Sequence, residues 1–201
     1  IHDDTLDRTS NGTGPVVERD AAELRALDAG SWFGNEFAGE HIPTFEAAST
    51  LCRPLRLWAN IEIKPDAGNA EDTGRIVALL AAIYWKDSSP APLLSSFSEA
   101  ALAAARAQSP GLPRALLVED VPADWALRTR SLGCRALHCR QDAVTVDLVN
   151  AVHEAGLGLL VYTVNDTGRA IALFEMGVDA IVTDELREIG PDLLTTFGLT
   201  G

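Results

Sequence analysis

From residue 57 onward, short apolar runs alternate with segments of helical spacing, and this alternation restricts the chain to a few folds. The runs are residues 57–64 (LWANIEIK), 92–97 (PLLSSF), 114–118 (RALLV), 135–139 (RALHC), 157–164 (LGLLVYTV) and 180–183 (AIVT). They are short and partly continuous in hydrophobicity, as strands covered on both faces should be. Between them, residues 70–85 place Ile76, Leu79, Leu80 and Ile83 on one helical face. Ser98 is a good N-cap for the Ala-rich stretch through Gln108. Residues 122–132, 143–155 and 166–176 keep the rhythm, Gly156 and Gly177 stand at expected helix ends, and a last helix is predicted over 191–197. Repetition of this kind implies an α/β fold of parallel strands with right-handed crossovers. Six strands satisfy an open doubly wound sheet. A closed (β/α)8 barrel needs eight and usually about 250 residues, so this chain is roughly 50 residues short of one.

Residues 3–43 read differently. They are polar, Gly-rich and turn-rich (SNGTGPV, LDAGSWFGNEFAG) and too long for an ordinary βα loop. The expectation is an ordered insertion with a few short helices, anchored by Leu27, Trp32 and Phe33. Thr44 then caps a helix to about Leu51.

Charge excludes several function classes. The net charge is −13, which repels nucleic acid and anionic membranes. No apolar run approaches the roughly 20 residues of a membrane helix, so membrane insertion is not expected. The same charge repels an anionic small substrate unless a metal ion or a placed Lys reverses the local field. Cys52, Cys134 and Cys139 form an odd set without a CxxC spacing, which suggests neither a disulfide framework nor a zinc cluster. His138 and Cys139 read as ordinary strand residues in a reducing compartment. No signal peptide is visible at the start.

A few residues carry chemistry. Ile1-His2 reads as a strand end that delivers His2 into a loop, where barrel active sites lie. Imidazole moves protons near neutral pH, and Asp3 or Asp4 would orient it. In NIEIKP, residues 60–65, alternation puts Glu62 and Lys64 on one face and Ile61 and Ile63 on the other. With the isoleucines under the outer helices, the carboxylate and the ammonium face the barrel axis at the strand's carboxyl end. That pair suits a hard divalent cation plus a phosphate, and equally a buried ion pair. Phe97 and Tyr162 bring aromatics to two further strand ends, as pocket lining or as packing. Asp184 reads as a loop or cap residue.

The chain resembles the bacterial cytoplasmic glycerophosphodiester phosphodiesterase (GDPD) family, the type associated with glycerol-phosphate uptake. The resemblance rests on HDDTLDRTSNGTG, LDAGSWFGNEFAGEHIPTFE, ANIEIKP, PLLSSFS, GLLVYTVND, GVDAIVTD and IGPDLL together, in order and spacing over essentially all 201 residues. It implies a TIM (β/α)8 barrel as one domain over residues 1–201, partial at its N-terminus. The first strand–helix unit and most of the second strand would be absent, and residues 3–43 would be a small insertion after that second strand. It also implies hydrolysis of glycerophosphodiesters to sn-glycerol 3-phosphate and an alcohol by two His and one divalent cation, Mg²⁺ or Ca²⁺, in the cytoplasm. His2 falls on the second catalytic His, Glu62 on a metal ligand and Lys64 on a phosphate-contacting Lys. Phe97 and Tyr162 fall near the glycerol pocket, the last at a position often Trp in relatives.

The departure lies at the front. The family opens with an HRG segment holding the first catalytic His, then a PEN segment and an ExD pair, and none of these precedes Ile1. The expected consequence is a chain that is inactive in isolation. A non-catalytic pseudoenzyme or binding protein on the same fold is the alternative reading, and cleavage of phosphoinositide or sphingolipid headgroups a third. Homo-oligomer formation stays open.

Overall fold

The computed structural model describes residues 1–66 and 68–196. The chain divides into two compact units, Ile1–Trp58 and Ala59–Gly201.

The first unit is organised by side chains that bond to backbone rather than by strands. Asp20 caps α1 (Ala21–Ala26), and Glu23 returns the bond in a capping box. Thr44 accepts from Ala47 N and caps α2 (Phe45–Cys52), as its sequence predicts. Asp28 is the hub of the loop between them. Its carboxylate accepts from the N–H groups of Gly30, Ser31 and Gly39 and from the Ser31 hydroxyl at 2.6–2.9 Å. These bonds, led by the Ser31 hydroxyl, hold its carboxyl well below the usual carboxylate range. The loop closes so tightly that a Cβ on Gly30 would stand 1.9 Å from the Phe37 carbonyl oxygen. The expected apolar anchors are corrected here. Trp32 and Phe33 are 51% and 70% exposed, whereas Leu6 is 1% exposed. Leu6 and Leu27 pack about Gly12. Because Asp28 fixes the loop by hydrogen bonds, the aromatics are left to stack on one another. Trp32 meets Phe33 at 5.5 Å and Phe33 meets Phe37 at 5.3 Å.

The second unit is a six-stranded, wholly parallel sheet in sequential order. Its strands are β1 (Asn60–Glu62), β2 (Leu93–Ser96), β3 (Arg114–Val118), β4 (Ala136–Arg140), β5 (Gly158–Tyr162) and β6 (Ala180–Ile181). The crossovers are α3 (Ala70–Tyr84), α4 (Glu99–Gln108), α5 (Trp125–Leu132), α6 (Val146–Glu154) and α7 (Thr167–Glu175), followed by α8 (Leu193–Thr196). Phe197, the expected end of that last helix, lies outside the described residues. Sequential order with a helix after each strand is a half-barrel, part of a TIM barrel. Ser98, Thr145 and Asp166 cap α4, α6 and α7. Gly133, Gly156 and Gly177 take positive φ just past α5, α6 and α7, the conformation that ends helices.

The two sheet faces follow from what packs where. Leu116, Val118, Leu137, Cys139, Leu159 and Val161 share a buried cluster with Leu102, Leu132, Val149, Val152, Ala170 and Leu173 of the helices. These strand residues therefore face outward, under the helices. By alternation and register, the inner face carries Glu62, Ser95, Ala115, Leu117, Ala136, His138, Leu160 and Tyr162. His138 and Cys139 thus point to opposite sides of the sheet and do not form half of one metal site. Burial raises the Cys134 and Cys139 thiols to about 11, so both are inert packing residues.

The expected apolar face of α3 is also corrected. Gly74, Ala78 and Ala81 are its buried residues, while Ile76, Leu79 and Ile83 are exposed. A Cβ on Gly74 would lie 2.2 Å from the Ala101 carbonyl oxygen. Close backbone approach to α4 selects the small residues, and the larger side chains are turned away from it.

Candidate active site at the strand ends

Glu62 closes β1 and is exposed, while Ile63 after it is 1% exposed beneath the helices. The alternation predicted for NIEIKP therefore holds, although the regular strand is shorter than residues 57–64. Beyond Glu62 the chain stays pinned to β2. Ile63 N donates to the Ser95 carbonyl at 2.7 Å, and the Ser96 hydroxyl donates to the Ile63 carbonyl at 2.6 Å. Ser96 in turn accepts from Ser98 N at 3.0 Å, just before α4. Lys64, the next residue after this clamp, is exposed.

Phe97 follows β2 and Tyr162 ends β5, and their rings meet edge to face with centroids 6.0 Å apart. The Tyr162 hydroxyl donates to the Val118 carbonyl at 2.8 Å, tying β5 to the end of β3. Its phenol is pushed up to about 12, by burial first and then by neighbouring acidic groups, Glu119 before Glu62. Tyr162 is thus a neutral hydrogen-bonding aromatic that senses the Glu62 carboxylate. The carboxyl ends of β1, β2 and β5 accordingly bring Glu62, Phe97 and Tyr162 to one end of the sheet.

Arg140 was not legible as a mouth residue, because the apolar run ends at Cys139 while the strand continues one residue further. It lies opposite Tyr162 in register and pairs with Asp142 through Nε at 3.1 Å and through Nη2. Asn165, just beyond β5, bonds through its side chain to Thr183 and to both the backbone and carboxylate of Asp184. Asp184 is therefore a loop tie, in line with its sequence reading.

His2 belongs to the first unit. Its Nδ1 bonds to Asp3 Oδ1 at 2.9 Å, and Asp3 is gripped by Arg8 at 2.6 and 2.8 Å. Arg8 first, then His2, hold the Asp3 carboxyl well below the usual carboxylate range. An ionised Asp3 requires the hydrogen on Nδ1, which leaves Nε2 as the acceptor nitrogen of the neutral ring. Asp3 thus orients the His2 ring, as one of the two neighbouring carboxylates expected to do so.

The described residues fit a divalent cation incompletely. Mg²⁺ and Ca²⁺ take about six to eight oxygen ligands. Among the described residues no three His, Cys, Asp or Glu are grouped to hold one.

Residues 1–188 match the profile of the glycerophosphoryl diester phosphodiesterase family. The chain belongs to that family. It is 32% identical over 186 residues to a glycerophosphodiester phosphodiesterase of Caldanaerobacter subterraneus, covering 92% of this chain and 75% of that one. A Bacillus subtilis glycerophosphodiester phosphodiesterase is 31% identical, with 92% and 68% covered. Among solved structures, an Oleispira antarctica phosphodiesterase in complex with the product sn-glycerol-3-phosphate superposes with TM-score 0.84 at 35% identity, covering 92% of this chain and 74% of that one. The glycerophosphodiester phosphodiesterase of Agrobacterium tumefaciens gives TM-score 0.77 at 28% identity, with 98% and 79% covered. The family relationship accounts for the parallel half-barrel. No helix among the described residues is long and apolar enough to cross a membrane.

Proposed function

We propose that this chain is the catalytic domain of a metal-dependent hydrolase that cleaves glycerophosphodiesters to sn-glycerol 3-phosphate and an alcohol. The observation that carries this reading is the strand-end group Glu62, Phe97 and Tyr162 in a chain 35% identical to a phosphodiesterase bound to that product. In this reading Lys64 binds a phosphoryl oxygen, and Phe97 and Tyr162 pack the glycerol carbons. His2, held through Nδ1 by Asp3, serves as general acid and protonates the departing alkoxide from Nε2. Residues 3–43 are the small insertion that follows the strand end bearing His2. Glu62 supplies one carboxylate to Mg²⁺ or Ca²⁺, which would offset charge building on the phosphorus oxygens. One carboxylate does not hold such an ion, so the 201 residues alone are expected to show negligible turnover.

A second reading, a non-catalytic binding protein, draws on the absence of a three-donor metal group among the described residues. A chimaera separates the two. The family's HRG-containing opening segment, joined ahead of Ile1, should restore metal-dependent release of sn-glycerol 3-phosphate from glycerophosphocholine, read by a coupled dehydrogenase. A chimaera that folds and binds metal yet releases no product would overturn the catalytic reading. Metal-dependent turnover by the 201 residues alone would overturn the expected inactivity.

A further inference from the structure

At the opposite end of the sheet, beneath the starts of β3, β4 and β5, lies a cavity of about 540 Å³. Ligand sites commonly measure about 300–1,000 Å³. Arg106, Arg114, Arg130 and Arg135 all line it, and no Asp or Glu does. That is four cationic groups around one space in a chain of net charge −13.

Part of this cluster has an ordinary structural role. Arg114 is 5% exposed, and its guanidinium donates to the carbonyls of Leu112, Leu132, Gly133 and Pro110 at 2.5–3.4 Å. Arg106 donates through Nη1 to the Ser131 carbonyl at 2.6 Å. Arginines commonly satisfy helix C-terminal carbonyls in this way. Those bonds do not use the set up. A guanidinium has five N–H donors, so Arg114 keeps one and Arg106 most of its own. Arg130 and Arg135 are exposed, and neither makes an ion pair or side-chain hydrogen bond among the described residues. A Cβ on Gly133 would touch both the Arg106 and Arg114 guanidinia at 3.3 Å. The two cations therefore flank the same glycine without a carboxylate between them. Burial, chiefly, makes the Arg114 cation less favourable than it is in water; Cys134 partly offsets this, and the like charges of Arg106 and Arg135 add to it.

We propose that this cavity is a binding site for a phosphate-type oxyanion, distinct from the strand-end site. Planar guanidinium forks match the oxygens of a tetrahedral phosphate, and several of them are needed to outweigh the field of an acidic chain. Arg114 forms the rigid floor, held by its carbonyl bonds. Arg106, Arg130 and Arg135 supply the donors that close on the anion. The ligand is inorganic phosphate or a phosphate monoester, and the site does not depend on any reaction at the other end.

Isothermal titration of the full chain tests this with inorganic phosphate and, separately, with glycerol 3-phosphate. It is run on the Lys64→Met background to silence the strand-end site. The expected result is one phosphate-type anion bound per chain. Affinity should fall about tenfold or more in Arg130→Gln/Arg135→Gln, since two charge-assisted contacts are lost. Both arginines are exposed, so this variant should keep its far-UV circular dichroism and urea midpoint. Tighter binding of glycerol 3-phosphate would assign the site to a phosphate monoester, and tighter or equal binding of inorganic phosphate to the free anion. Absence of binding at millimolar concentration of either, or binding unchanged in the double variant, would overturn the proposal.

Discussion

Replacing His138 by leucine removes a titratable ring from the inner face of the sheet, and the pH dependence of stability should change by a calculable amount. The residue is 1% exposed. Neither ring nitrogen has a hydrogen-bond partner among the described residues. Burial lowers its pKa from 6.5 to about 4. Between these values the unfolded chain takes up a proton that the folded chain refuses. Stability therefore rises with pH through this window: the contribution is fully present above about pH 6.5 and is lost as pH falls toward 4. The gap corresponds to about 3 kcal/mol over the whole window. Urea unfolding near pH 7 and near pH 4.5 would sample most of it. Exposed carboxylates titrate alike in both proteins and cancel in the comparison. The wild-type chain should lose about 2 kcal/mol more than His138→Leu between these two conditions. Equal losses would overturn this expectation, because the ring would then be hydrated or partnered when charged.

Gly74→Ala should destabilise by about 1–3 kcal/mol in urea, because its Cβ meets the Ala101 carbonyl; helix propensity alone would give the opposite sign. Ser96→Ala should cost about 1–3 kcal/mol, as the buried Ile63 carbonyl loses its side-chain donor. In the chimaera with the family's opening segment, it should also lower turnover by loosening Glu62 and Lys64. His2→Ala in the same chimaera should slow hydrolysis by roughly 10²–10⁴, and a loss below about tenfold would remove His2 from the mechanism. Glu62→Gln should raise the metal concentration needed for half-maximal rate, and an unchanged metal dependence would make Glu62 structural.

The parallel half-barrel was legible because two periodicities alternate through the second unit. Caps at Ser98, Thr44, Gly156 and Gly177 marked element ends through local backbone chemistry that needs no tertiary context. The outward turn of Ile61 and Ile63 followed from alternation alone. What escaped depends on tertiary distances. Ile76, Leu79 and Ile83 form a good apolar stripe, yet α3 buries Gly74, Ala78 and Ala81 because α4 approaches so closely. Trp32 and Phe33 looked like anchors because the hydrogen bonds that Asp28 makes to the loop backbone leave no hydropathy signature. Ser96 was hidden inside an apolar run, where consecutive serines in LLSSF were the only hint of a clamp. Arg140 stood one residue beyond the apparent strand, so its register with Tyr162 could not be counted.

The charges at the carboxyl ends of the strands bear on the proposed chemistry. Around the carboxyl ends stand Glu62, Glu119, Asp120 and Asp142, and Asp142 neutralises Arg140. At the amino ends, four arginines line a cavity without an acid. The acids at the carboxyl ends oppose capture of an anionic diester there unless something reverses the local sign. The chain has two lysines, Lys64 and Lys86, and Lys64 is the one next to Glu62. One ammonium beside several carboxylates does not invert such a field. The proposed reaction at that end thus requires a bound divalent cation for substrate capture as well as for the chemical step. Removing the ion should raise KM as well as lower kcat in the chimaera. A chelated enzyme that keeps its KM would place the ion's role in the chemical step alone.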